Sequence, residues 1–141
     1  MRLLGLDVGE KRVGAALSDE LGVAAQPLEV IEAGRSFATA IGRIRELCTE
    51  HEVATIVIGM PLSMSGGGRG ASARKAKDLG DRLASGLRVE VVYVDERFTT
   101  AQAERMLVSA GVRRERRRGV VDKIAAALIL QAYLDGRQAQ H

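Results

Sequence analysis

The sequence predicts an α/β chain, a five-stranded mixed sheet with helices on both faces. Three observations carry that prediction: three short-linked apolar strand patterns open the chain, helix and strand patterns then alternate, and the last helix is apolar nearly all round. The opening strands imply an antiparallel meander on one side of the sheet. The crossovers that follow imply parallel strands on the other. With 141 residues, 46% of them hydrophobic, the chain has the size of one domain, and a single domain over residues 1–141 is expected.

Residues 2–8 read as the first strand and 11–18 as the second, joined by a tight turn at Gly9. A third strand over about 22–31 contains Pro27, which suits a sheet edge. Residues 36–53 place Phe37, Ile41, Ile44 and Leu47 at helical spacing, with Ser36 as the expected N-cap. The run TIVIG, residues 55–59, is β-branched and continuous, as in a strand covered on both faces. A glycine-rich loop, MPLSMSGGGRG, follows it. Residues 71–85 predict a second helix and 88–98 a fifth strand. A third helix is expected over about 100–110, with Thr99 and Gln102 spaced as a capping box and Gly111 as its stop. The final helix is expected to enter at Asp122 and to be buried.

Composition narrows the function. No apolar run reaches the length of a membrane span, and the chain opens on a strand pattern instead of a charged-then-apolar leader, so no membrane partner and a cytoplasmic location are expected. Cys48 is the lone cysteine, which excludes disulfides and thiolate metal clusters within the chain and suits a small buried side chain. His51 and His141 carry no expected ligand role. The net charge of +3 matters through its distribution, because five of the six residues from Arg113 to Arg118 are arginine: Arg113, Arg114, Arg116, Arg117 and Arg118. Such a block is either a solvated loop or a grip on a phosphate backbone, since clustered arginine neutralises phosphates and releases their counterions. Two Phe, two Tyr and no Trp leave little for base stacking, so a nucleic-acid partner would be read by shape and backbone.

The chemistry comes from carboxylates. Open sheets of this kind bind ligands beyond the carboxyl ends of their parallel strands. Asp7 falls near the end of the first strand, Glu96 at the end of the fifth, and Asp122 at the entrance to the last helix, where it could equally be an N-cap. Alternation puts Leu3, Gly5 and Asp7 on one face, so Asp7 shares its face with a glycine expected to leave open space above it, and Gly9 is expected to admit a backbone or phosphate. Asp95 and Glu96 point to opposite faces, so one of the two can join Asp7. Converging carboxylates repel unless a cation sits among them. Oxygen ligands without His or Cys select hard ions, Mg²⁺ or Mn²⁺, and two such ions about 4 Å apart suit in-line hydrolysis of a phosphodiester. Lys11 and Arg97 could screen phosphate charge beside the ions. The loop and the helix start after it add Ser63, Ser65, Arg69, Arg74 and Lys75, a phosphate-gripping flap or a plain connection; no GxxxxGK[ST] is present.

Four segments, GLDVGEKRVGAALSD, IVIGMPLSMSG, VDERFTTAQAE and VDKIAAALILQAYL, together resemble the signature segments of the YqgF/RuvX family, the RuvC-like Holliday junction resolvases also described as pre-16S rRNA nucleases. The resemblance covers nearly the whole chain. It implies an RNase H-like fold and a metal-dependent endonuclease whose acidic residues are Asp7, Glu96 and Asp122, which selects Glu96 over Asp95. The second segment departs from the family pattern, with Ser63 and Ser65 where Asn and Asp are usual. Processing of the 5′ end of precursor 16S rRNA is the favoured reading, since a small basic surface with few aromatics suits structured RNA. Resolution of branched DNA is the alternative and would call for a two-fold dimer, where RNA trimming needs only a monomer. A catalytically inactive nucleic-acid-binding adaptor is a further alternative, with the arginine block alone at work. GLDVG also opens actin-like and sugar-kinase ATPases, whose fold needs a second domain that 141 residues do not supply.

Overall fold

The computed structural model describes residues 2–60, 69–95 and 114–139, with the backbone alone described for 69–71, 114–122 and 138–139. Strands β1 (Arg2–Val8), β2 (Arg12–Ser18) and β3 (Ala25–Glu32) precede helix α1 (Ala38–Glu50). Strand β4 (Val53–Met60), helix α2 (Arg69–Gly86), strand β5 (Glu90–Asp95) and helix α3 (Arg114–Ala139) complete the described elements. They form a five-stranded sheet in the order β3-β2-β1-β4-β5. The β1–β2 and β2–β3 pairs are antiparallel, and β4 and β5 run parallel to β1. This is the mixed sheet that the sequence predicts, with β1 at its centre.

Alternation along β1 explains why helices cover both faces. Leu4 and Leu6 go to one face, where they pack with Ile56 and Ile58 of β4 against Ile41, Ile44 and Leu47 of α1 and Ala76, Leu79 and Leu83 of α2. Leu3 goes to the other, with Val57 of β4 and Ala126, Ile129, Leu130 and Leu134 of α3. Each fully buried Leu or Ile contributes about 1.5–3 kcal/mol relative to exposure, so both faces are needed to hold the sheet. Strand β3 forms one edge. Pro27 pairs with Ala16 and Glu29 with Ala15, which leaves Leu28 as an extra, bulged residue.

Two helix starts and the burial of the last helix differ from the sequence reading. Helix α1 starts at Ala38, after a 3-10 turn at Arg35–Phe37, and Ser36 makes no capping bond. Ser36 (φ 52°) and Phe37 (φ 62°) both have left-handed backbones, at a cost that residue preferences do not anticipate. The Arg82 guanidinium donates to the Ser36 carbonyl at 2.6 Å and helps to hold the turn. Helix α3 starts at Arg114 instead of Asp122, so Arg114, Arg116, Arg117 and Arg118 are helical and the loop reading of this block is wrong for them. Arginine is a good helix former, and a run of charges solvates a helix as readily as a loop. Nor is α3 buried all round, because Ala132, Asp135, Gly136 and Arg137 are exposed. The helix expected at 100–110 lies outside the described residues.

Candidate active site

Asp7 is half-buried, one residue from the end of the central strand. Across the β1–β2 ladder it faces Gly14. On β4, Gly59 follows Ile58, the partner of Leu6. Both glycines are buried, so the positions directly across from Asp7 on either side carry no side chain of their own. Sequence reasoning missed Gly14 and Gly59. Glycine inside a strand was the available signal, but only the register shows that the two flank Asp7.

Gly5 is used differently from the sequence expectation, and Gly9 admits a backbone, one of its two expected uses. A Cβ on Gly5 would sit 2.7 Å from Leu130 Cβ and 2.9 Å from the Ala126 carbonyl, so the space above Gly5 is filled by α3 instead of being left open. A Cβ on Gly9 would meet the Arg12 carbonyl at 2.9 Å, the same group that accepts the Gly9 N–H at 2.8 Å. The close approach at Gly9 is therefore the hairpin's own turn, not a ligand.

The packing over Gly5 fixes where Asp122 falls. Ala25 N–H donates to Gln131 Oε1 at 2.9 Å, and Leu3 N–H donates to Ser18 Oγ at 2.8 Å, next to the Ser18–Ala25 pair. The Gln131 end of α3 thus lies at the amino end of β1, and the helix runs antiparallel to the strand. Position 122 is four residues, about 6 Å, before Ala126 on the same helical stripe. Asp7 is two residues, about 7 Å, beyond Gly5 in that same direction. Asp7 and position 122 therefore share one face and one end of the sheet. Position 122 lies in the third turn of α3, so Asp122 is not an N-cap.

Strand β5 bears on the choice between Asp95 and Glu96. Asp95 pairs with Met60 and Tyr93 with Ile58, which puts both on the α1–α2 face, opposite Asp7. Val92 and Val94 pack on the α3 face. Glu96, Arg97 and Arg113 lie outside the described residues.

Basic side chains gather at the same edge. Lys11 is exposed in the β1–β2 turn. Helix α2 begins beyond the carboxyl end of β4, and Arg74 and Lys75 are exposed in its early turns. Arg69 is the first residue of that helix. Arg114, Arg116, Arg117 and Arg118 lie in the turns of α3 ahead of position 122, which carries their backbone further past this end of the sheet. Elsewhere the residues with metal or nucleophile chemistry are accounted for. Cys48 is buried and burial pushes its thiol up to about 11, which matches a packing role. His51 caps α1 at the opposite end of the sheet, where Arg2 donates to its Nδ1 at 3.5 Å.

The sheet order, the direction of its strands and the carboxylate on its central strand define the class: an RNase H-like fold of the RuvC type. Two solved structures share it. "T. thermophilus RuvC in complex with Holliday junction substrate" superposes with a TM-score of 0.58 at 17% identity, over 98% of this chain and 96% of that one. The Fowlpox virus resolvase, in complex with Holliday junction DNA, gives 0.60 at 10% identity, over 97% and 99%. The RuvX family profile, described as Holliday junction resolvase, matches residues 1–136, and the chain belongs to that family. Its relatives include proteins named "Putative pre-16S rRNA nuclease": one from Symbiobacterium thermophilum is 51% identical over 142 residues, covering 99% of this chain and 96% of the relative. Another, from Lactococcus lactis subsp. cremoris, is 48% identical over 136 residues, covering 95% and 94%.

Proposed function

We propose that this chain is a divalent-metal-dependent endonuclease that hydrolyses phosphodiester bonds in processing the 5′ end of precursor 16S rRNA in the cytoplasm. The observation that carries the reading is the half-buried Asp7 at the carboxyl end of the central strand, with α3 bringing position 122 to the same face. Glu96 completes the set, a choice supported by the placement of Asp95 on the opposite face. Membership of the RuvX family and the names of its relatives support the same activity.

The donor chemistry suits hard cations. Carboxylate oxygens are the ligands on offer, while the described Cys and the described His lie in the core and at the far end of the sheet. Asp7, Glu96 and Asp122 would hold two ions, Mg²⁺ or Mn²⁺, with Asp7 between them. Bound there, the ions supply Lewis acidity and charge neutralisation for attack of water on a phosphodiester. The protein's own part is positional. Gly14 and Gly59 lie across from Asp7 on its two neighbouring strands, and the RNase H-like scaffold carries Asp7 to the carboxyl end of the central strand. Lys11, Arg69, Arg74, Lys75, Arg97 and the arginines from Arg113 to Arg118 bind the phosphate backbone and orient it.

Resolution of branched DNA is the second reading, favoured by the family's own description and by the resolvase fold. A precursor 16S rRNA fragment and a synthetic four-way junction, offered side by side with and without divalent ion, separate the two. Metal-dependent cleavage of the RNA alone supports rRNA processing. Paired cuts in the junction, made by a dimer, support resolution instead. Binding of either substrate with no cleavage under any divalent ion overturns the nuclease reading in favour of an adaptor.

A further inference from the structure

We propose that Gly5 is a positioning residue of the metal site: by letting α3 lie directly on β1, it sets the distance between Asp7 and Asp122. The inference rests on the nuclease reading above and adds to it a residue that holds no metal and touches no substrate. Three observations carry it. The Leu130 Cβ and the Ala126 carbonyl lie 2.7 Å and 2.9 Å from where a Gly5 Cβ would be, and both belong to the helix backbone or the atom next to it, so neither can swing aside as a side-chain tip could. Asp7 is two residues along the strand from Gly5, and position 122 is one turn along the helix from Ala126, so the contact lies one step along the backbone from each. Ala126, Ile129, Leu130 and Leu134 are fully buried, so the helix seats as a rigid body and a lift at Ala126 carries through to position 122.

A methyl group at residue 5 would raise this part of α3 by about 1 Å to reach ordinary van der Waals contact. A displacement of that size at a reacting centre costs on the order of a hundredfold in rate. The test measures divalent-ion binding by calorimetry without substrate, the metal dependence of cleavage, and thermal stability, for the parent, Gly5→Ala and Gly80→Ala. Gly80 is the control on the opposite face of the sheet: a Cβ there would meet the Tyr93 hydroxyl, a side-chain tip that can shift, far from the contact with α3.

The expected result is that Gly5→Ala loses stability and binds the ion at least about tenfold more weakly, whereas Gly80→Ala keeps parental ion affinity. Its cleavage is expected to recover in part at high metal concentration. If Gly5→Ala does not fold, Ala126→Val lifts the same helical turn from the other side and must show the same raised metal requirement. Metal binding by the folded variant at parental affinity, or equal weakening in Gly80→Ala, overturns the inference. The parent separates this failure from that of the nuclease reading: no metal-dependent cleavage by the parent ends the reading, whereas parental cleavage with unaltered metal binding in the variant ends only the role of Gly5.

Discussion

The two ends of the sheet differ in the charges they gather. At the amino end, a cavity of about 560 Å³ is lined by Arg2, Glu20, Glu50, His51, Glu52 and Val53. Its charges are engaged with one another: Arg2 lies 3.8 Å from Glu20, and His51 lies 3.9 Å from Glu50. At the carboxyl end, the half-buried Asp7 lies opposite Gly14, Lys11 is exposed in the adjoining turn, and Arg74 and Lys75 are exposed in the early turns of α2. The first end sets three glutamates around one arginine. At the second, the strand endings and the start of α2 gather groups suited to an anionic polymer and its counterions. Topology favours this end for the proposed site, because crossover connections leave the carboxyl ends of parallel strands open to ligands.

Substitutions can break or sharpen that contrast. Asp7→Asn should have the largest effect, lowering cleavage at least about a hundredfold by removing charge from the reacting centre. Thermal unfolding and nucleic-acid binding should stay near parental; a variant that cuts as well as the parent would move the site elsewhere. Reversing charge at Arg114, Arg116 and Arg117 should weaken RNA binding on the order of tenfold at moderate salt, and should lower the salt slope by about 0.7–0.9 for each phosphate that is no longer neutralised. A titration series in rising KCl reads both, and an unchanged slope would return these residues to a merely solvated helix.

A smaller effect belongs to the ion pair between Glu29 and Arg43, whose guanidinium meets the carboxylate at two points, both 2.9 Å. That hydrogen bonding holds the Glu29 carboxyl below its usual value of 4.5. The pair is partly exposed, so Glu29→Gln should cost no more than about 1 kcal/mol. Because the folded-state pKa is lowered, the contribution is complete above the unfolded value and fades as pH falls through the folded one. Denaturation curves of parent and variant should therefore separate at pH 7 and converge in the acid range. The smallest effect is expected at the amino end: Glu50→Gln combined with His51→Gln should leave cleavage within about twofold of the parent, since surface changes remote from the site rarely reach it. A hundredfold loss there would reverse the assignment of the two ends.

Much of this contrast was legible in the sequence. Period-two alternation in residues 2–8 and the unbroken run at 55–59 gave the strands their faces, and Pro27 marked the edge correctly. Asp7 stood out because a carboxylate interrupts an apolar strand. Legibility failed where the deciding contact lies far along the chain. Gly5 read as open space because its partners, Ala126 and Leu130, are more than a hundred residues away. Ser36 read as a helix cap because a left-handed backbone at Ser36 and Phe37 follows from a bond to Arg82, not from the local residues. The arginine block read as loop or grip, and local pattern could not say that it continues the last helix. In each case the periodic signal was sound, and a tertiary contact set the detail.

The bulge at Leu28 beside Pro27 has a consequence for how copies of this chain meet. A bulge steps the pleat of an edge strand and proline withholds one donor from its backbone, so a further strand laid along β3 would find a poorer template than a regular edge offers.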